Sequence, residues 1–118
     1  MQMVALAAVL MMGGVAGDGP RTEGQKIEAL IRHVEALENA KFIRNGMEYD
    51  ARAAGQFLRG KWKAQEANVK TAQDFIEKVA SLSSTTGKPY LIKLPGGREV
   101  KSSEYLAAEL KKLETAEK

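Results

Sequence analysis

The sequence predicts an α+β fold, a single domain of about four short helices with one or two short β-hairpins. Three features predict it. Apolar residues recur at helical spacing in four separate stretches. Asn45-Gly46 and Pro95-Gly96-Gly97 each stand between short runs of strand-forming residues. Thr, Asp or Ser precedes each helical stretch, where a side-chain oxygen can accept the first free backbone N–H groups.

Asp18-Gly19-Pro20-Arg21 is a flexible lead-in, and residues 18–22 and 114–118 are the expected loose ends. Thr22 opens the first helix, with Gln25 as its capping-box partner. Ile27, Leu30, Ile31, Val34 and Leu37 form one stripe that carries the helix to about Asn39. Phe42-Ile43-Arg44, Asn45-Gly46 and Met47-Glu48-Tyr49 read as a hairpin, because Asn-Gly tolerates the positive φ of a type I′ turn. The strands are short, so an extended loop is the alternative. Asp50 caps a second helix with Ala54, Phe57, Leu58 and Trp62 along one side. Gly55 and Gly60 argue against it, at about 1 kcal/mol each.

Thr71 caps a third helix, Asp74 completes its box, and Ala72, Phe75, Ile76, Val79 and Ala80 form the stripe. The run Ser81 to Gly87 ends it, since hydroxyl side chains compete for backbone hydrogen bonds. Tyr90 to Leu94 is the clearest strand, Pro95-Gly96-Gly97 turns it, and Arg98 to Lys101 pairs back. Ser102 or Ser103 caps the last helix, with Leu106, Leu110 and Leu113 inward and a fraying end from Glu114 to Lys118. A chain of this length buries roughly 60–70% of its unfolded surface, enough for one core without metal or disulfide staples.

Residues 1–17 contain no charged side chain. Their apolar stretch, Met3 to Ala16, is too short to span a bilayer, which takes about 20 residues. It has the length of a signal-peptide core, and Val15 with Gly17, or Gly14 with Ala16, supply small residues for cleavage. Residues 1–17 are therefore expected to be a signal peptide and 18–118 the folded domain. A buried N-terminal helix is the alternative. No Lys or Arg precedes Val4, a gap that an upstream start would repair. The expectation is export to the periplasm, or secretion, with no membrane span in the mature chain.

The 118 residues carry 18 basic and 15 acidic side chains, one His and no Cys. Zero Cys excludes disulfides, thiolate metal sites and Cys nucleophiles. His33 alone does not make a metal site, so no metal and no cofactor is expected. His33 flanks the first stripe and belongs at a core boundary. The charge is uneven: residues 18–40 are net −2, 41–70 net +4 and 71–118 net +1. The basic segment holds Lys41, Arg44, Arg52, Arg59, Lys61, Lys63 and Lys70 around Trp62. One reading is a patch for an anionic partner, the other a solvated helix face with Trp62 in the core. No helix-turn-helix, zinc finger or RNP motif is present, so nucleic acid is not the expected partner.

The loop Ser83 to Tyr90 is the most distinctive polar stretch. A Gly with nearby hydroxyls and Lys88 can form an anion-binding concavity. It is no P-loop, because the upstream Gly is missing and Pro89 replaces the magnesium-binding Ser or Thr. The alternative is a helix end followed by a loop that locks strand entry, with Tyr90 packed. A Ser84–Lys88 nucleophile pair is a further option, without a nameable acid or oxyanion hole. Arg44 is expected to pair with the acids of the first helix, Asn45 to serve the turn, and Met47 to pack. Glu48 and Asp50 have simpler strand and cap roles than paired acid–base catalysis.

FIRNG (Phe42 to Gly46), FLRGKW (Phe57 to Trp62), TAQDFIEKVAS (Thr71 to Ser81) and SSTTGKPYLIK (Ser83 to Lys93) occur in this order and spacing. Together they resemble the YfeK-like family of small exported bacterial proteins, a family of unknown function, over roughly Ile27 to Leu113. The resemblance implies an N-terminal export signal. It brings no catalytic residue, cofactor or partner.

The residues expected to bind an anionic ligand or an envelope partner are Arg44, Arg59, Lys61, Ser83, Ser84, Lys88 and Tyr90. If Arg44, Arg59, Lys61, Ser84 and Lys88 line one concavity, binding is favoured; if they scatter, a purely structural role for them is. A small serine-loop hydrolase and a structural partner of another envelope protein are the alternatives.

Overall fold

Strand pairing joins the two expected hairpins into one sheet. The computed structural model describes residues 20–116; the expected signal peptide, residues 1–17, lies outside them. In chain order the elements are α1 (Glu23–Glu35), β1 (Lys41–Arg44), β2 (Met47–Asp50), α2 (Ala51–Ala64), a 3-10 turn (Glu66–Asn68), α3 (Ala72–Lys78), β3 (Leu91–Lys93), β4 (Glu99–Lys101) and α4 (Ser102–Ala116). The sheet runs β2-β1-β3-β4, antiparallel throughout. Pairing of β1 with β3, through Phe42↔Ile92 and Ile43↔Leu91, is the long-range step that local turn chemistry does not announce.

Strand alternation decides which side chains face the helices. Tyr49, Phe42, Ile92 and Val100 are cross-strand neighbours in one row. Phe42 and Ile92 are buried, and all of that row belongs to or packs on the core. Ile27, Leu30, Ile31 and Val34 of α1, Ala54 and Leu58 of α2, Phe75 and Ile76 of α3 and Leu106 and Leu110 of α4 complete it. Ile43 and Leu91 point to the opposite face, where both are part-buried.

Several caps form as read. Thr22 with Gln25, and Thr71 with Asp74, make reciprocal capping boxes, and Asp50 accepts from the Ala53 N–H at 2.8 Å. Asn45 and Gly46 take φ of 52° and 80°, as the type I′ turn requires. Other expectations fail for identifiable reasons. Helix α1 stops at Glu35, short of Asn39, because Asn39 takes a left-handed φ of 58° that turns the chain into β1. Ser102 lies inside α4 and does not cap it: its N–H donates to the Tyr90 carbonyl, and its buried hydroxyl has no hydrogen-bond partner among the described residues. Helix α4 itself extends to Ala116, and Lys26 bridges its Glu114 (3.1 Å) to Glu23 (3.0 Å), a contact rather than a test of the expected loose end. Met47 does not pack; it is 62% exposed. Trp62 sits at the core edge, edge-on to Phe75. His33 is indeed at a core boundary, where it shares a 2.7 Å hydrogen bond with the Tyr105 hydroxyl and lies 3.7 Å from Glu109.

The two helix glycines differ. A Cβ on Gly55 would lie 2.1 Å from Cγ of Glu35, whereas one on Gly60 would meet nothing within 4 Å. Gly55 is thus where α1 and α2 approach closely. Gly60→Ala should raise stability by about 0.4–1 kcal/mol through reduced unfolded-state entropy. Gly55→Ala should lower it despite the same entropic gain, because Glu35 must leave its place. Urea unfolding of the two variants checks the opposite signs.

Candidate functional site

Two periodicities bring a pair of cations to one end of the sheet. Arg44 is two residues from Phe42, so it shares the strand's helix-facing side. Lys61 is four residues from Phe57, so both lie on one face of α2. One step past the Ile43↔Leu91 pair brings Arg44 level with Tyr90. The rings of Phe42, Phe57 and Tyr90 pack with centroids 5.3–6.4 Å apart. The Arg44 guanidinium lies 4.4 Å from the Phe57 centroid and 5.4 Å from that of Tyr49. The Lys61 ammonium lies 4.8 Å from the Tyr90 centroid and 6.0 Å from that of Phe57. Such cation–ring contacts are worth about 0.5–2 kcal/mol each.

The polar contacts leave donors to spare. Lys61 donates to the Leu82 carbonyl and to the Tyr90 hydroxyl, both at 2.9 Å. Arg44 donates one longer bond, 3.4 Å, to the Tyr49 hydroxyl. Among the described residues neither cation has a carboxylate within salt-bridge distance, although both are half-buried. The expected pairing of Arg44 with the acids of α1 does not occur, because its register points it into the ring cluster. Burial pushes the Lys61 ammonium below the ordinary lysine range, and the Arg44 charge adds to this. Burial pushes the Tyr90 hydroxyl up, with Arg44 opposing.

The hydroxyl-rich loop adjoins this pair through Asn45. The Asn45 Nδ2 donates to the Ser83 hydroxyl at 3.2 Å, and its Oδ1 accepts from the Thr86 hydroxyl at 2.6 Å. Ser83 is buried, and the Thr85 and Thr86 N–H groups also point at its oxygen. The Ser83 N–H donates to the Lys88 carbonyl, the Gly87 N–H to the Ser83 carbonyl, and Leu82 bridges Pro89. Ser83 therefore organises the loop.

The expected site residues divide. Arg44, Lys61 and Tyr90 meet at the ring cluster, with Ser83 joined to it through Asn45. Arg59 lies two residues from Lys61, about 200° around the helix, and faces α1. It donates to Glu28 at 2.6 Å and to Glu35 at 3.4 Å. Lys88 lines a shallow depression at the sheet's outer face with Ile43, Leu91, Glu48 and Glu99. Ser84 is exposed. The single concavity holding Arg44, Arg59, Lys61, Ser84 and Lys88 is not what the packing makes. Phe57, Tyr49 and Asn45 join the site instead. The i, i+4 spacing of Phe57 and Lys61 is the signal that could have found the first of these.

The Arg59–Glu28 hydrogen bond holds the Glu28 carboxyl below its ordinary value of 4.5. A lowered carboxyl contributes stability above the unfolded value and loses it as pH falls through the folded one. Glu28→Gln should therefore be less stable than the parent at neutral pH. The difference should vanish on acidification below that range, as followed by urea unfolding at several pH values.

Comparison with known proteins adds kinship without a role. A family of unknown function, DUF5329, matches residues 21–114. The uncharacterized protein YfeK of Salmonella typhimurium strain LT2 is 38% identical over 68 residues, 58% of this chain. The match spans 57% of that relative's length, a little over half. No solved structure matches.

Proposed function

This chain belongs to the family of unknown function DUF5329, and we propose that it is a small exported protein of the periplasm. Its proposed role is that of a non-catalytic binding module for an anionic ligand. The observation behind the role is the pair Arg44 and Lys61, half-buried on the Phe57 ring without a carboxylate among the described residues. Desolvating two like charges costs stability unless something compensates them. The other part-buried Lys and Arg side chains among the described residues, Lys26, Arg59 and Lys93, each pair with an acid. An anion seated between Arg44 and Lys61 would supply the opposite charge that neither has among the described residues.

A loop-serine hydrolase has less behind it. The Ser83 oxygen is buried and already faces Asn45 and two backbone N–H groups, and no base is hydrogen-bonded to the exposed Ser84 among the described residues.

Arg59 is not a residue to change for this test, since it holds Glu28 and Glu35 on the α1 side. Arg44→Met and Lys61→Met keep the apolar stems over the rings and delete the charges. A hydrogen bond to a charged group contributes about 1.5–3 kcal/mol, so each variant should bind inorganic phosphate or an anionic polysaccharide some 10–100-fold more weakly. Each variant should also lose some stability with its ring contacts, so binding is compared at a temperature where circular dichroism shows both folded, and the parent's binding should weaken with added salt. Calorimetry at low ionic strength decides this, and unchanged affinity in both variants overturns the reading.

Export rests on the charge-free apolar start of the chain. Intact mass of protein from its native host should place the mature N-terminus just after Ala16 or Gly17. A chain retaining Met1 or Gln2 overturns it.

A further inference from the structure

We propose that the group held between Arg44 and Lys61 is the dianionic terminal phosphate of a phosphomonoester. This rests on the anion-binding reading above and narrows it to one chemistry.

Charge is the first argument. The site presents two unit positive charges and no described carboxylate within ion-pair distance of either. A carboxylate or a phosphodiester carries one negative charge and would leave one cation uncompensated in a half-buried place. A phosphomonoester carries close to two negative charges at neutral pH and compensates both.

Donor geometry is the second. Arg44 has five N–H donors, of which one reaches the Tyr49 hydroxyl. Its guanidinium carbon lies 4.4 Å from the Phe57 centroid, and its N–H groups make no other hydrogen bond among the described residues. Lys61 has three donors, two of them committed to the Leu82 carbonyl and the Tyr90 hydroxyl. The site thus offers one guanidinium fork and one ammonium N–H from a second direction. A carboxylate has two oxygens in one plane, and the fork occupies both. The three terminal oxygens of a phosphomonoester are arranged tetrahedrally, so two can meet the fork while the third meets the ammonium.

Preorganisation is the third. The two charges rest 4.4 and 6.0 Å from the same ring centroid, so one ring helps position both. Tyr90, which fixes Lys61 by a hydrogen bond, is itself buried. The stems therefore need little ordering when the ligand arrives.

The test compares methyl phosphate, dimethyl phosphate and acetate by calorimetry on the parent protein at low salt. Methyl phosphate should bind at least tenfold tighter than the other two. Its affinity should fall as pH drops below the second phosphate pKa, near 6, while that for acetate stays nearly level down to about pH 5.5. Arg44→Lys keeps the charge without the fork and should narrow the preference; Lys61→Met should abolish it, with circular dichroism confirming that both variants fold. Equal affinity for acetate and methyl phosphate overturns the phosphomonoester assignment and leaves the anion site standing. No binding of any of the three overturns both. Co-sedimentation with phosphatidylcholine vesicles containing phosphatidic acid would place the phosphate on a lipid. Binding of glycerol 3-phosphate without vesicle binding would place it on a soluble molecule. Either result supports the assignment.

Discussion

The packing of Phe42, Phe57 and Tyr90 is the contact on which the rest depends. These rings come from β1, α2 and the residue before β3, so their cluster sets how the second helix lies on the sheet. It joins the first hairpin to the second at the end where the hydroxyl-rich loop departs. It also supplies the apolar bed that half-buries Arg44 and Lys61. Without it the two cations would be ordinary solvated side chains and the loop would have no fixed neighbour.

Helical phase then sorts the charges of α2. Phe57 and Lys61 share a face and turn to the sheet, while Arg59, between them in sequence, turns to α1. Two residues apart, these cations meet opposite surroundings. Arg59 finds Glu28 and Glu35, and its guanidinium is held above its usual range chiefly by the Glu28 hydrogen bond. Lys61 finds rings, a carbonyl and another cation. Close approach at Gly55 admits Glu35 to the α1–α2 contact. The same helix thus secures the fold on one side and presents an uncompensated charge on the other.

Asn45 links turn chemistry to the loop. Its left-handed backbone suits a type I′ turn, and that conformation sends its amide toward Ser83 and Thr86. The hydroxyls that look in sequence like a ligand cradle are largely spent on holding the loop to the hairpin. Lys88, beside Glu48 and Glu99 at the outer depression, lies apart from the ring cluster. Of the part-buried Lys and Arg side chains, Arg44 and Lys61 are left without a carboxylate partner among the described residues.

Local signals in the sequence determined the four helices, their Thr22, Asp50 and Thr71 caps, both turns and the stripe residues of the core. Each depends on side chains within a few positions of one another, where spacing alone sets the geometry. The sequence also pointed to Arg44, Lys61 and Tyr90 as residues of interest. Only the tertiary structure decided which of the basic residues act together. It placed Arg59 against α1, Lys88 at the outer face and Phe57 beneath Arg44. Those placements follow from the β1–β3 register and the way α2 packs on the sheet, which join residues some 15 to 50 positions apart. Charge in a segment can be counted along the chain, but whether a cation meets an acid, a ring or water is settled by which faces the packed elements turn toward one another.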